Sequence, residues 1–574
     1  MESNGSLFEE MRQKAACIPL RSFRAEEGIH PLTFQDSRLE LPLQSSDALG
    51  NELGQLKLKH QGKVLEGLPS STQCEGKRIG VLFSGGPAPG GHNVLLGIYA
   101  ALGGKNTLLG IKSGPKGLLT GDLFDVTASQ LATVQNLGGF DFLGSDRTKI
   151  KTPEQFEKVK ETVHVAKLDG LIIIGGDDSN TNAALLAEYL LEENCTVVGV
   201  PKTIDGDLQA GTLLPISFGF DTATKIYAEL VGNILQDTPS SQKYWHFIKL
   251  MGRSASHVTL EVGLQTKPAV TLISEEILEK RQSLDEIVTN IAKTVTIRAS
   301  QGINHGVVLV PEGLVEFIPE MKTLIQELNA ALPRLEAEKE GLSSIQKYEE
   351  IKSYLSESVL SVFNALPYHF AEKLLLDRDA HGNLQVSLIE TEKLLAEMVS
   401  EKVRSFQEMS DDLSSQGLVL GSGDLGRFLT YSFKSQVHFF GYEGRCGAPT
   451  AFDSFFTYNL GIIAGALCLS EKTGYMAAVT DFDKGGRALA VPLTSLIVSE
   501  MRHGHAESVI EKALVKTSSP SFSYFESRRE EWAHSDCFSS PGPRQYEGAS
   551  ADQLPISVAL NQGYASLSYK GAVS

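Results

Sequence analysis

From Gly76 onward, short apolar runs rich in β-branched residues alternate with stretches in which apolar residues recur every three or four positions. The runs at 78–84, 107–112, 169–175, 195–201, 244–250, 269–274, 305–311, 436–441 and 475–480 predict strands, those at 169–175 and 195–201 buried on both faces. Helical spacing predicts helices at 90–103, 179–193, 219–236, 254–266, 283–300 and 450–470. This strand–helix rhythm predicts an α/β protein with parallel-rich sheets and helices on both faces. Residues 315–430 break the rhythm: Glu, Lys, Leu and Ser dominate at helical spacing without strand runs, which predicts an inserted helical subdomain.

Residues 1–75 are polar with a few apolar clusters and read as an N-terminal extension wrapping either a neighbour or the core. Beyond residue 535, Ser, Gly, Pro and Gln predominate, and 535–574 reads as a loosely held tail. Between them lie an α/β lobe at 76–240 and a second at 241–534 that carries the 315–430 insertion. A chain of 574 residues is too long for one ordinary core, in keeping with two lobes.

The formal charge of −18 argues against nucleic acid or an anionic membrane as partner, since neither would be attracted. An acidic protein that binds phosphate must gather positive charge locally. No run of eighteen apolar residues occurs, and the start lacks the basic-then-apolar order of a leader, so the expected location is cytoplasmic. The six scattered cysteines lack a CxxC pair and read as idle thiols of a reducing compartment.

The candidate chemistry sits at strand ends. The 195–201 run delivers Pro201-Lys202-Thr203-Ile204-Asp205-Gly206-Asp207, which places two carboxylates and an ammonium where open α/β sheets bind ligands. Asp205 is the candidate base that accepts a hydroxyl proton, and Lys202 the cation that offsets charge on a transferring phosphoryl group. The 78–84 run ends in Gly85-Gly86-Pro87-Ala88-Pro89-Gly90-Gly91 before a helix, a turn that lets backbone approach a phosphate. It matches neither GxGxxG nor GxxxxGK[ST], and a turn without ligand explains it equally well. The 169–175 run ends in Gly175-Gly176-Asp177-Asp178. Helix capping explains one acid, and the second makes one carboxylate a candidate Mg²⁺ ligand. Arg253, Glu312 and Arg445 stand beside glycines at other predicted strand ends, suited to phosphate and sugar hydroxyls, while Arg147 sits in a further glycine-bearing loop, where a lone arginine is more often a surface charge. Trp245, His246, His92 and His257 read as structural.

In order along residues 76–500, GGPAPGGHN, GGDDSNTNAA, PKTIDGD, MGRSASH, PEG and GYEGR resemble the phosphofructokinase family. The resemblance is to its long, diphosphate-dependent branch, including the catalytic β subunits of the plant enzymes. It implies two Rossmann-like lobes, the first binding diphosphate and Mg²⁺ and the second fructose 6-phosphate. The implied reaction is reversible, Mg²⁺-dependent transfer from diphosphate to the 1-hydroxyl of fructose 6-phosphate, a glycolytic step giving fructose 1,6-bisphosphate and phosphate.

On that resemblance Asp205 accepts the hydroxyl proton, Asp207 shares its loop, Asp177 binds Mg²⁺ and Gly86 contacts diphosphate. Lys202 and Arg147 stabilise the moving phosphoryl group. Thr203, Met251, Gly252, Arg253, Glu312, Tyr442 and Arg445 hold the sugar phosphate, and Lys243 and Tyr244 serve a neighbouring subunit's site. ATP-using relatives carry glycine at Asp178 and at Lys202, so this pair, expected side by side, would repel the nucleotide's α-phosphate and admit diphosphate. The resemblance implies an oligomer with shared sites and allows an α2β2 heterotetramer with a regulatory subunit. It also brings in fructose 2,6-bisphosphate as an activator, with no surface assigned. Two alternatives stay open: an ATP-dependent kinase, and a regulatory subunit of the same fold without chemistry.

Overall fold

The computed structural model describes residues 7–26, 28–41, 52–72, 74–339, 341–376, 389–502, 505–541 and 551–569, so parts of the expected extension and tail lie outside it. The chain divides into two compact units. The first takes the described chain as far as Ile226, together with Tyr442–Ala513 and residues 551–569. The second takes Tyr227–Gly441 and the stretch from Leu514 to Pro541.

The strands of the first unit before the crossover are β1 (Leu32–Glu40), β2 (Lys63–Pro69), β3 (Arg78–Ser84), β4 (Thr107–Ile111), β5 (Leu123–Asp125), β6 (Ser145–Asp146), β7 (Gly170–Gly175), β8 (Thr196–Thr203) and β9 (Phe218–Gly219). The second unit supplies β10 (Trp245–Leu250), β11 (Val270–Thr271), β12 (Gly306–Pro311) and β13 (Ser435–Phe440). The chain then returns to the first unit with β14 (Tyr475–Thr480), β15 (Arg487–Pro492), β16 (Ile497–Arg502) and β17 (His505–Ile510).

The large sheet runs β1-β2-β15-β14-β8-β7-β3-β4-β5, with β6 beside β3 and β9 beside β8. Its middle, β14 to β4, is parallel, as near-continuous apolar runs require. Its flanks, β1-β2-β15-β14 and β4-β5, are antiparallel, which the strand–helix rhythm does not predict. The reason is local. After β14 the residues Asp481, Gly485 and Gly486 take positive φ, so the strand folds straight back as a hairpin instead of crossing over through a helix.

The Ala451–Leu469 helix is long and apolar enough to cross a membrane, yet 94% of its most apolar window is buried within this unit. It crosses the Gly91–Leu102 helix backbone to backbone. A Cβ on Gly97 would strike the Tyr458 carbonyl, one on Gly461 the Val94 carbonyl, and one on Gly465 would lie 3.0 Å from Ala101 Cβ.

The second unit's sheet, β11-β12-β10-β13, is wholly parallel. Only two residues of the predicted 269–274 strand pair. Between β12 and β13 the described chain is helical, including Pro319–Glu338, Glu357–Ala365, Thr391–Glu408 and Ser422–Thr430. These helices share one apolar cluster with the sheet, joining Phe363, Phe370 and Val399 to Trp245 and Phe247. The insertion therefore thickens the core of its unit.

Two expectations are corrected, and the choice left open for the extension is decided. The lobe expected at 241–534 is not one body, because β14 pairs with β8 and draws residues 442–513 into the first unit. The extension joins the core: β1 and β2 prolong the large sheet, and Leu20 and Phe23 are fully buried. Residues 551–569 are not loosely held. The Ile556–Gln562 helix buries Val558 and Ala559, and Tyr569 packs 5.4 Å, ring to ring, from both Phe452 and Phe455.

The helix crossing gives a test. Gly97→Ala is expected to destabilise the first unit by roughly 1–3 kcal/mol, the cost of overpacking a tight contact. A thermal unfolding midpoint equal to the parent's would show that the two helices separate freely.

Candidate active site

The large sheet reverses direction of growth between β3 and β7, since β4 lies on one side of β3 and the later strands on the other. Such a switch point leaves a crevice outside the carboxyl ends of the strands. Register brings the motif ends together: Phe83 lies opposite Ile174, and Gly175 opposite Pro201. The Gly85–Gly86 turn, the Gly175–Gly176 turn and the Lys202–Asp207 loop thus leave the same edge. β6 pairs with the end of β3, and the Gly85 N–H donates to the Asp146 carbonyl at 2.9 Å, which delivers Arg147 to that edge.

Cations surround the glycine turn. Lys202 Nζ donates to the Gly86 carbonyl at 2.8 Å and lies 3.4 Å from where a Gly85 Cβ would stand. A Cβ on Gly86 would collide with the Arg445 guanidinium and stand 3.6 Å from Arg147 Nη2. Gly85 has φ +82°, where a side chain would add strain to the crowding. Lys202 is buried, and desolvation lowers its pKa from 10.5 to about 8. Asp205, Asp177 and Asp207 push it back upward, while Arg445 pushes it further down. The turn is therefore an anion cradle of backbone and three cations.

The acids are held by short local bonds. The Thr203 hydroxyl accepts the Asp205 N–H at 3.0 Å, and Gly206, with φ +74°, turns the chain to Asp207. Asp177 and Asp178 open the Asp177–Tyr189 helix, two residues earlier than predicted. Asn180 locks its start, donating from Nδ2 to the Gly175 and Gly176 carbonyls at 2.6 and 2.9 Å. Successive helical residues point about 100° apart, so the two acids diverge. Asp177 Oδ2 and Asp207 Oδ2 each lie 3.7 Å from Lys512 Nζ. Asp178 instead pairs with Lys149 at 2.8 Å. Lys149 is thus a direct partner of Asp178 that the sequence reading does not name. Lys149 is fixed because Asn182 bonds both the N–H and the carbonyl of Ile150, at 2.9 and 2.8 Å.

Two carboxylates facing one cation are a donor set that suits a hard divalent ion. Among the described residues no group of three or more His, Cys, Asp or Glu side chains could hold a metal by itself. An ion here would complete its shell with water and substrate oxygens, as Mg²⁺ commonly does.

Tyr442 and Arg445, expected with the sugar residues, belong to the first unit, and Arg445 stacks 5.0 Å from the Tyr442 ring beside Gly86. In the second unit, Met251, Gly252 and Arg253 leave β10 while Glu312 leaves β12. The Gly252 N–H donates to Glu312 Oε2 at 3.0 Å, and the Glu312 N–H to the Leu250 carbonyl at 3.1 Å. Burial raises the Glu312 pKa. Gly252 has φ +129°, a conformation that L side chains rarely adopt. Lys243 and Tyr244 precede β10 and stand at its opposite end from Met251–Arg253. Trp245 is fully buried, as a packing residue should be.

The phosphofructokinase family pattern matches residues 78–353. A relative from Arabidopsis thaliana, named pyrophosphate–fructose 6-phosphate 1-phosphotransferase subunit beta 2, is 45% identical over 85% of this chain and 82% of its own. A relative from Treponema pallidum, named pyrophosphate–fructose 6-phosphate 1-phosphotransferase, is also 45% identical, over 88% of this chain and 86% of its own. A pyrophosphate-dependent phosphofructokinase structure from Nitrosospira multiformis superposes with TM-score 0.50 at 15% identity, over 85% of this chain and 97% of that one. Fold, strand-end site and relatives define a sugar-phosphate phosphotransferase class. The chain belongs to the phosphofructokinase family.

Lys202 sets a pH dependence. Its lowered pKa leaves the ammonium in place below about 8 and removes it above. Calorimetric diphosphate affinity should fall by up to roughly tenfold per pH unit above that point, as loss of one linked proton requires. Lys202→Arg should flatten the alkaline fall; an equal fall in both proteins would assign it to another group.

Proposed function

We propose that this chain catalyses reversible phosphoryl transfer from diphosphate to the 1-hydroxyl of fructose 6-phosphate, giving fructose 1,6-bisphosphate and phosphate. The observation that carries the reading is the cradle at Gly85–Gly86, where Lys202, Arg147 and Arg445 converge beside Asp177, Asp205 and Asp207. The names of relatives 45% identical over most of both chains agree with it.

In this reading diphosphate lies along the glycine turn, its oxygens met by backbone and by Lys202 and Arg147. Asp205 takes the proton of the sugar 1-hydroxyl as that oxygen bonds to phosphorus, and the bond to the bridging oxygen breaks to release phosphate. The reverse reaction returns the same proton. Mg²⁺, held by Asp177 with Asp207 close by, would supply a Lewis acid for the phosphate oxygens. The chain's own contribution is positioning and charge, which is most of what phosphoryl transfer needs.

Thr203, Met251, Gly252, Arg253, Glu312, Tyr442 and Arg445 are assigned to the sugar phosphate, with Arg445 also facing the donor. The placement of Lys243 and Tyr244 at the far end of β10 supports their serving a second subunit in an oligomer with shared sites. The Arabidopsis relative is named as one kind of subunit, which supports an assembly with a regulatory partner. Activation by fructose 2,6-bisphosphate and a cytoplasmic location complete the proposal.

Diphosphate is favoured over ATP as donor by Asp178 and Lys202. The Asp178 carboxylate would repel a nucleotide's α-phosphate, while the lysine fills the cradle with charge suited to the smaller donor. A silent regulatory subunit would not need three acids and a buried lysine on one edge.

Two variants test this. Asp205→Asn should lower turnover about a hundredfold or more, the scale of a lost general base, with fructose 6-phosphate still binding in calorimetry. Turnover near the parent's would remove Asp205 from its role. Asp178→Gly releases Lys149 to meet an α-phosphate, so it should weaken diphosphate use and improve ATP use in steady-state assays. An unchanged donor ratio would refute this account of donor choice.

A further inference from the structure

The segment that follows β17 has no place in the chemistry described so far, yet it is pinned over the acids. The Ile510 N–H donates to Thr181 Oγ1 at 3.0 Å, and that hydroxyl donates to the Asp177 carbonyl at 2.9 Å. On the other side the Ala513 N–H donates to the Asp207 carbonyl at 2.7 Å. Lys512 lies between these anchors, so backbone bonds aim its side chain. Its ammonium stands 3.7 Å from one oxygen of Asp177 and 3.7 Å from one oxygen of Asp207. Asp207 is almost fully buried and Asp177 largely so, whereas Lys512 keeps about a third of its side chain in solvent. The cation is the most exposed member of the trio.

We propose that Lys512 is a positioning residue that keeps the divalent-cation site closed until diphosphate arrives. With no donor bound, its ammonium neutralises Asp177 and Asp207 together. A free divalent ion must displace it, so the ion alone binds weakly. The anionic donor gives the ammonium a new partner at the same edge, and the lysine then yields Asp177 to the metal. Metal and diphosphate thus enter together and no bare ion is trapped. This rests on the diphosphate reading above.

The test uses Mn²⁺ as probe, followed by electron paramagnetic resonance in the full chain without diphosphate. Lys512→Gln should bind Mn²⁺ roughly five- to tenfold more tightly than the parent, the scale of one displaced, partly exposed ion pair. Lys512→Arg should bind it as weakly as the parent does. With fructose 6-phosphate and Mg²⁺ present, the Gln variant should show a raised diphosphate KM that the Arg variant restores. The anchors at Ile510 and Ala513 are backbone bonds, so both variants should keep the parent's thermal midpoint. Equal Mn²⁺ affinity in parent and Gln variant overturns the proposal, as does a diphosphate KM left unmoved. If the parent fails to turn over diphosphate, the proposed function falls, while the Mn²⁺ comparison still reads the competition at Asp177.

Discussion

The buried ammonium of Lys202 governs the ligand edge of the first unit. A lysine this desolvated is costly unless paired, and its pKa of about 8 records that cost. What keeps it charged near neutrality is the Gly86 carbonyl at 2.8 Å together with the carboxylates of Asp205, Asp177 and Asp207. The turn that presents this carbonyl depends on Gly85, whose φ of +82° is one that L side chains rarely adopt. The register of β3, β7 and β8 sets these groups side by side, so the sheet's pairing is what makes the charge tolerable. An incoming polyanion relieves the same tension, giving the cradle an affinity for phosphate that no single surface lysine would have.

Charge is distributed along this edge in a graded way. Asp178 answers to Lys149 and Asp177 to Lys512, while Lys202 lies deepest. Two neighbouring acids in one helical turn thereby acquire separate partners and separate duties. In the second unit Glu312 is organised differently: a buried carboxylate ties the Gly252 backbone to the end of β12 and gives the arginine that follows a fixed point of departure.

The parallel centre of the large sheet was legible because strands buried on both faces leave uninterrupted apolar runs such as Leu171–Ile174. The glycine-flanked charges at their ends were legible for the same reason, since a strand that can be placed also places its last residue. The flanks were not. β1 and β2 are part-exposed antiparallel strands of mixed composition, β15 is buried but short and alanine-rich, and the described parts of 1–75 and 551–569 bury too few apolar residues to stand out from loop sequence. Lys512 and Lys149 are not legible in the sequence because their importance lies in what folds onto them. Lys149 follows only the two-residue strand β6 and Lys512 an antiparallel hairpin, and a lone lysine in ordinary sequence carries no periodic mark. Arg445 was visible, but its unit was not, because the return of the chain through β14 is a long-range pairing that no local pattern announces.

The glycine contact between the Gly91–Leu102 and Ala451–Leu469 helices reaches further than packing. Gly86 stands just ahead of the first helix and Arg445 just ahead of the second, so the clasp between them aligns two fragments of the cradle that are remote along the polypeptide. Everything threaded between the two helices is relieved of that duty. The helical stretch between β12 and β13 takes no part in that alignment: its apolar residues answer to the core of the second unit alone.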